Sequence, residues 1–355
     1  MSHPDIPSAA PAIAALTPYQ SARMLNAFDP SMTYIDANEL PYAPPEIPLD
    51  YSELHYYADA GPRRMIDAYA AYAGLSAKQL VATRGIDEGI DLLVRTYLEP
   101  GEDSLLLFTP TYGMYAVAAA THRITPQTLP LKGLIEPDHD AVRGLDALPK
   151  LIILCRPNNP TGALMSTDAV KAILDLARGR SIVAIDEAYI EFCPDESLVP
   201  LMAENPHLVI MRTLSKGFGL AGIHTGFLLA HEAVVDAVNR ISNPYPIPDP
   251  CAQIALAALT EEGLARLNRN IAAVTEARAT LYEALARHPD CLSVMPSAAN
   301  FLLTEWRAPE AVWDRLTKAR ILARGFVLPG EDKMRIRFSI GTADQVQQVI
   351  EALGE

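Results

Sequence analysis

Lys216 stands in "TLSK", where a short apolar run, "LVIMRT", comes to an end. A lysine whose surroundings depress its pKa can act as a nucleophile toward a carbonyl group. Other polar clusters close apolar runs in the same way: "RGIDEG" with Gly85, Ile86 and Asp87, "TPTYG" with Tyr112, "NNPTG" with Asn159, and "DEAY" with Asp186 and Tyr189. Together they offer an acid, hydroxyl and amide donors, an aromatic face and a helix start able to receive phosphate. Each has an ordinary explanation when taken singly, since lysines are mostly solvated, "NNPTG" reads as a turn and an acid at a strand end often caps the next element. Their recurrence at the ends of successive apolar runs favours the chemical reading.

Gly217, Gly219 and Gly222 follow the lysine and spell G-x-G-x-x-G. A dinucleotide loop needs a strand, the glycine turn and then a crossover helix. Only "IHT" separates Gly222 from the next strand-like run, "GFLLA", whereas a crossover takes at least about 10 residues. The lysine therefore carries the chemistry, and the glycines let the backbone turn beside it. Pyridoxal 5'-phosphate is the carbonyl cofactor that such a set suits, because it needs a lysine, an acid against its ring nitrogen, donors to its ring oxygen, a stacking ring and a phosphate cup. Lys216, Asp186, Tyr189 with Asn159, and Tyr112 answer the first four needs. The N–H groups of Ile86 and Asp87, with the hydroxyls of Thr213 and Ser215, answer the last.

The elements that must position these residues alternate. "LVATRG", "SLLLFTP", "KLIILC", "SIVAIDEAY" and "LVIMRTLS" read as strands, with helices at "IDEGIDLLVRTYL", "YGMYAVAAATH" and "STDAVKAILDLARG", the last capped by Ser166. Apolar strands between helices predict an α/β fold with a mostly parallel sheet covered on both faces, where ligands bind at the carboxyl ends of strands. Beyond residue 250 come long helices and then a strand, helix, strand, helix module, "ANFLLTEW" to "TADQVQQVIEALG", in which Thr342 and Gln345 form a capping box. The expected division is a proline-rich arm over 1–50, a large cofactor-binding domain over 51–250 and a linking helix with a small α+β domain over 251–355.

Composition narrows the classes of function. The 355 residues carry a formal net charge of -14 and a pI near 5.0, which argues against a nonspecific hold on nucleic acid or anionic membrane. Cys155, Cys193, Cys251 and Cys291 are scattered without a C-x-x-C pair, so neither a metal site nor a disulfide framework is expected. A cytoplasmic, reducing setting follows, and no basic leader or transmembrane run is seen.

With "LTPYQSAR", "RGIDEGIDLL", "PTYGMY", "PNNPTG", "DEAYIEF", "PHLVIMRTLSK" and "IRFSIGT", the sequence resembles the fold-type I pyridoxal-phosphate aminotransferases and, within them, the histidinol-phosphate branch. The resemblance implies ping-pong amino transfer between L-histidinol phosphate and 2-oxoglutarate, in a homodimer. It implies Lys216 as the residue that carries the cofactor and moves the proton, Arg337 and Arg324 as substrate-anion arginines, and Tyr19 and Tyr57 as tyrosines reaching the substrate phosphate, Tyr57 from the neighbouring subunit. Arg335, two residues before Arg337, competes for the anion role, and Arg324 can also be read as a solvated helix end. His224 departs from the family, which has an arginine on the cofactor phosphate at that place. The alternatives are an aminotransferase for aromatic or other amino acids, a decarboxylase of the threonine-phosphate type, and a non-enzymatic binding protein on the same scaffold.

Overall fold

The computed structural model describes residues 7–16, 29–52, 54–57 and 62–354. Its main sheet has seven strands, β2 (Leu80–Thr83), β3 (Leu105–Thr109), β4 (Gln127–Pro130), β5 (Leu151–Cys155), β6 (Ile182–Asp186), β7 (Leu208–Thr213) and β8 (Gly226–Leu229), in the spatial order β2-β8-β7-β6-β5-β3-β4. Only β8 runs against its neighbours, β2 and β7. The remaining pairs are parallel. Strands β5 and β7 are buried along their whole length, which explains why they read as unbroken apolar runs rather than as alternation.

Helices α1 (Arg63–Ala73), α2 (Gly85–Tyr97), α3 (Met114–Thr121) and α4 (Thr167–Ala177) belong to this part of the chain. In α4 the buried residues Val170, Ile173, Leu174 and Ala177 keep the i, i+3, i+4, i+7 spacing of a single apolar face. Ser166 caps that helix by accepting from the Ala169 N–H at 3.2 Å. Because β2, β3, β5, β6 and β7 all point the same way, the segments that leave them emerge along one edge of the sheet. Chain segments from residues 83, 109, 155, 186 and 213 onward thus become neighbours.

A second, antiparallel sheet has the order β12-β13-β10-β9, from β9 (Cys291–Val294), β10 (Phe301–Trp306), β12 (Arg324–Val327) and β13 (Met334–Ser339). The arm strand β1 (Thr33–Tyr34) pairs in parallel with β11 (Ile321–Leu322). Helices α5 (Glu232–Asn239), α6 (Asp249–Ala258), α7 (Glu261–Arg287), α8 (Pro309–Lys318) and α9 (Ala343–Leu353) follow the main sheet in the chain. The Thr342–Gln345 capping box is present at α9. One buried apolar cluster runs from Val81, Ile90 and Val209 through Val274 to Phe301, Trp306 and Phe338. It makes the two sheets share a core.

Two expectations are corrected. The helix read through "KARIL" stops at Lys318, because Arg320 takes a left-handed conformation (φ 59) and the chain then becomes strand. Arg324 accordingly opens β12 and does not end a helix.

The loop after β6 carries an unusual buried charge. Arg212 on β7 donates to Glu187 at 3.0 and 2.8 Å and to Ser197 at 2.7 Å. Glu191 is buried beside them, yet neither carboxylate oxygen has a hydrogen-bond partner among the described residues. It lies against the backbone next to Lys216, since a Cβ on Gly217 would come within 2.5 Å of the Glu191 side chain. Burial pushes the Glu191 carboxyl up to about 7 from an ordinary 4.5, against the opposing pull of Arg212 and with help from Glu187. Between those values the folded chain holds a proton that the unfolded chain has lost, so this group makes stability fall as pH rises. Glu191→Gln should raise the melting temperature relative to the parent more at pH 8 than at pH 5. Equal differences at the two pH values, by calorimetry, would assign the proton elsewhere.

Candidate active site

Lys216, three residues beyond the end of β7, donates from Nζ to the Ala37 carbonyl at 2.8 Å. Burial, with help from the Arg337 charge, lowers its pKa to about 8, against the opposing pull of Glu39, Asp87 and Asp186. Asp186, the last residue of β6, accepts from the Tyr115 hydroxyl at 2.6 Å and from the Ala188 N–H at 2.9 Å. Burial nonetheless pushes its carboxyl up to about 6, and Asp87 adds to the rise against those two hydrogen bonds and Lys216. An amine and a carboxyl shifted toward each other's range are typical of a site built for proton transfer. A cationic ring nitrogen placed against Asp186 would draw its pKa back down.

The donors gather around this pair. Tyr189, three residues after Asp186, is buried, and its phenol oxygen accepts from Asn38 Nδ2 at 3.0 Å. Asn159 follows β5, and its Oδ1 accepts from Arg337 at 2.6 Å. With the amide oxygen so occupied, its N–H₂ group is the part left to donate to a ligand. Tyr112 sets its ring edge-on to Tyr115 at 5.5 Å and donates to Asp87 at 3.2 Å.

The anion side is built on the small sheet. Arg337 donates to the Asp36 carbonyl at 2.6 Å, and its guanidinium lies 5.2 Å from the Phe301 ring and 5.1 Å from the Phe326 ring. Arg324 is its cross-strand partner in the β12–β13 ladder. That register sets the two arginines on one face of the small sheet. Arg335 is engaged elsewhere, by Glu331 at 2.7 Å and Glu305 at 3.1 Å.

Gly85 opens α2 with φ 68, and the helix has no side-chain cap. Its first N–H groups, including those of Ile86 and Asp87, face the edge where the strands end. Thr213 was expected to donate to a phosphate. Its hydroxyl instead donates to the Thr225 carbonyl at 3.2 Å and accepts from Ser215 N at 3.1 Å, so it fixes the turn and leaves Ser215 as the nearer hydroxyl. His224 takes a left-handed conformation (φ 45) after a short turn over Ala221–Ile223. Its ring covers Gly85, where a Cβ would come within 2.7 Å, and its Nδ1 lies 2.8 Å from the Arg84 carbonyl. A carbonyl only accepts, so Nδ1 carries the proton and Nε2 can donate only from the imidazolium.

One expected residue lies away from this group in the single chain. Tyr57 is 82% exposed and stacks on Tyr245 at 4.6 Å, and Tyr19 lies outside the described residues. Conversely, Asp36, Ala37, Asn38 and Tyr115 belong to the site although sequence reasoning passed over them. Tyr115 had one usable signal, its place one helical turn from Tyr112. The arm segment had none.

A family model described as aminotransferase class I and II matches residues 39–353. A curated histidinol-phosphate aminotransferase of Pectobacterium atrosepticum is 41% identical over 346 residues, covering 96% of this chain and 95% of that protein. The Escherichia coli protein of the same name is 40% identical over 344 residues, with 95% and 94% covered. The crystal structure of histidinol-phosphate aminotransferase from Sinorhizobium meliloti in complex with pyridoxal-5'-phosphate superposes with a TM-score of 0.87 at 23% identity, over 99% of this chain and 98% of that one. This last likeness is one of fold.

The expected behaviour of His224 follows from its tautomer. Retention of pyridoxal phosphate, measured by equilibrium dialysis at one neutral pH, should weaken in His224→Ala relative to the parent protein. Equal retention by the two proteins would show that His224 does not help to hold the phosphate.

Proposed function

The chain belongs to the class I and II aminotransferases, and from that premise we propose that it transfers an amino group between L-histidinol phosphate and 2-oxoglutarate, with pyridoxal 5'-phosphate as cofactor. The substrate reading is supported by the names of relatives about 40% identical over nearly the whole chain. The observation that carries it is the Arg324–Arg337 pair, tied through Asn159 to the same sheet edge as Lys216 and Asp186.

The residues present fit the cofactor. Asp186, buried and without a cation pressed on it, would lie against the ring nitrogen and keep it protonated. Tyr189 and the Asn159 amide would donate to the ring oxygen, and Tyr112 would cover one face. Ile86 and Asp87 N–H groups, Ser215 and the imidazolium of His224 would hold the phosphate, with Gly85 allowing the close approach and Thr213 fixing the turn. When bound, pyridoxal phosphate supplies an electron sink for the charge that develops on the substrate carbon. Lys216, with its pKa depressed by burial, would be the base that takes the proton from that carbon and the acid that delivers it to the cofactor carbon. Arg337 and Arg324 orient the substrate, accepting a phosphate in one half-reaction and a carboxylate in the other.

The same reading places residues 51–250 around the cofactor and 251–355, with the arm 1–50, around the substrate anion. It also makes the protein a cytoplasmic homodimer. Tyr57 and Tyr245 stack on one another while both stay exposed, as do Tyr51 and Tyr56, which suits such an interface, and Tyr57 would reach the partner's substrate phosphate from it. Tyr19 is assigned to the same phosphate.

Adding L-histidinol phosphate to the holoenzyme should shift the cofactor absorbance to the amine form, and 2-oxoglutarate should restore it. Arg337→Gln should lower kcat/KM by about 10- to 100-fold, the size of a lost hydrogen bond to a charged group. Release of carbon dioxide from threonine phosphate, with no spectral response to histidinol phosphate, would replace the aminotransferase reading by the decarboxylase one.

A further inference from the structure

Three consecutive residues of the arm each meet one member of the site. The Asp36 carbonyl accepts from Arg337 at 2.6 Å, the Ala37 carbonyl accepts from Lys216 Nζ at 2.8 Å, and the Asn38 amide donates to the Tyr189 oxygen at 3.0 Å. Asn38 is 1% exposed and holds a left-handed backbone with φ 54, a conformation that asparagine and aspartate tolerate better than most residues. Its backbone is pinned on both sides. The N–H donates to Ser339 Oγ at 2.8 Å, and the carbonyl accepts from Asn300 Nδ2 at 3.0 Å. The Ser339 hydroxyl in turn donates to Asn38 Oδ1 at 3.0 Å.

That last contact decides which way the side chain points. With Oδ1 turned to the serine hydroxyl, Nδ2 must face Tyr189, and an amide nitrogen only donates. The Tyr189 oxygen therefore accepts at that position, and its single proton is directed elsewhere. We infer that Asn38 is a positioning residue which aims the Tyr189 hydroxyl proton at the cofactor ring oxygen, while the adjacent Ala37 carbonyl holds the Lys216 amine whenever that amine is free. The inference rests on the pyridoxal-phosphate reading above and adds to it a residue outside the cofactor contacts.

The surroundings of Tyr189 keep it a donor. Burial raises the phenol pKa well above its ordinary value, and the Arg337 charge and the Asn38 hydrogen bond only partly oppose this. The charged and titratable groups facing it are Arg337 from β13, Asp186 from β6 and Cys155 from β5, with Lys216 reaching the same arm segment. The Phe301 ring stands edge-on to it at 5.1 Å.

The test uses the holoenzyme and reads the pH midpoint of its cofactor absorbance change. A hydrogen bond donated to the ring oxygen favours its anionic form, so losing that bond raises the midpoint. Asn38→Asp keeps the shape and the left-handed backbone but puts an acceptor where the donor was, and draws the Tyr189 proton to itself. The midpoint should rise by about one pH unit, the equivalent of one hydrogen bond to a charged group. Asn38→Gly removes the amide without adding charge and should raise it by less. In a Tyr189→Phe background neither substitution should move the midpoint further, because the group being aimed is gone. Equal shifts with and without the Tyr189 hydroxyl would overturn the inference and leave the proposed function standing. Failure of the unsubstituted protein to take up pyridoxal phosphate at all would overturn both.

Discussion

Burial of ionisable groups at the carboxyl edge of the main sheet is the constraint on which the site depends. Lys216 and Asp186 are both pushed toward their neutral forms by loss of water, and their mutual attraction only partly offsets the cost. A fold tolerates such a cost where the ionisable groups themselves are hydrogen-bonded. Here Tyr115 and the Ala188 N–H hold the carboxylate and the Ala37 carbonyl holds the amine. The sheet makes this possible because parallel strands deliver their ends side by side. The antiparallel β8 brings His224 back to the same edge, and Gly226 admits it: a Cβ there would lie 2.8 Å from the Arg212 carbonyl and from the backbone of Gly85.

The small sheet that carries Arg324 and Arg337 obeys a different constraint, the register of an antiparallel ladder. Arg324 and Arg337 oppose each other because Arg324 begins β12. A register shifted by one residue would send the first arginine to the other face. The arginine on the neighbouring position of the same face, Arg335, is neutralised by two glutamates. Arg335 is thus tied into an ion-pair network with Glu331 and Glu305, while Arg337 meets Asn159 and the Asp36 carbonyl. Asn159 and the Asp36 carbonyl, both bound to Arg337, join the anion side to the lysine side in a single hydrogen-bonded assembly.

What could be read from sequence divides along the range of the interactions. Strands β5, β6 and β7 and the polar clusters after them were legible because each is a local pattern, an apolar run closed by a few chemically distinctive residues. The helix caps at Ser166 and Thr342 were legible for the same reason. The Asp36–Asn38 segment was not, since its partners lie 151 to 301 residues away and its own residues carry no periodicity. Nor was the strand at Arg324, where the left-handed Arg320 ends a helical pattern that composition alone would continue. Thr213 shows the converse limit. Its residue type suited a phosphate, but a hydroxyl has one proton, and the turn to Thr225 takes it.

His224 shows how one substitution is accommodated by a backbone rather than by a second side chain. An arginine carries its charge at any physiological pH and offers a planar fork to a phosphate. The imidazole here spends one nitrogen on the Arg84 carbonyl and packs its ring on Gly85, the residue that opens the phosphate-facing helix. Only the second nitrogen remains, and it donates only when the ring is charged. On the proposed reading, the helix N–H groups of Ile86 and Asp87 would meet the phosphate beside that nitrogen.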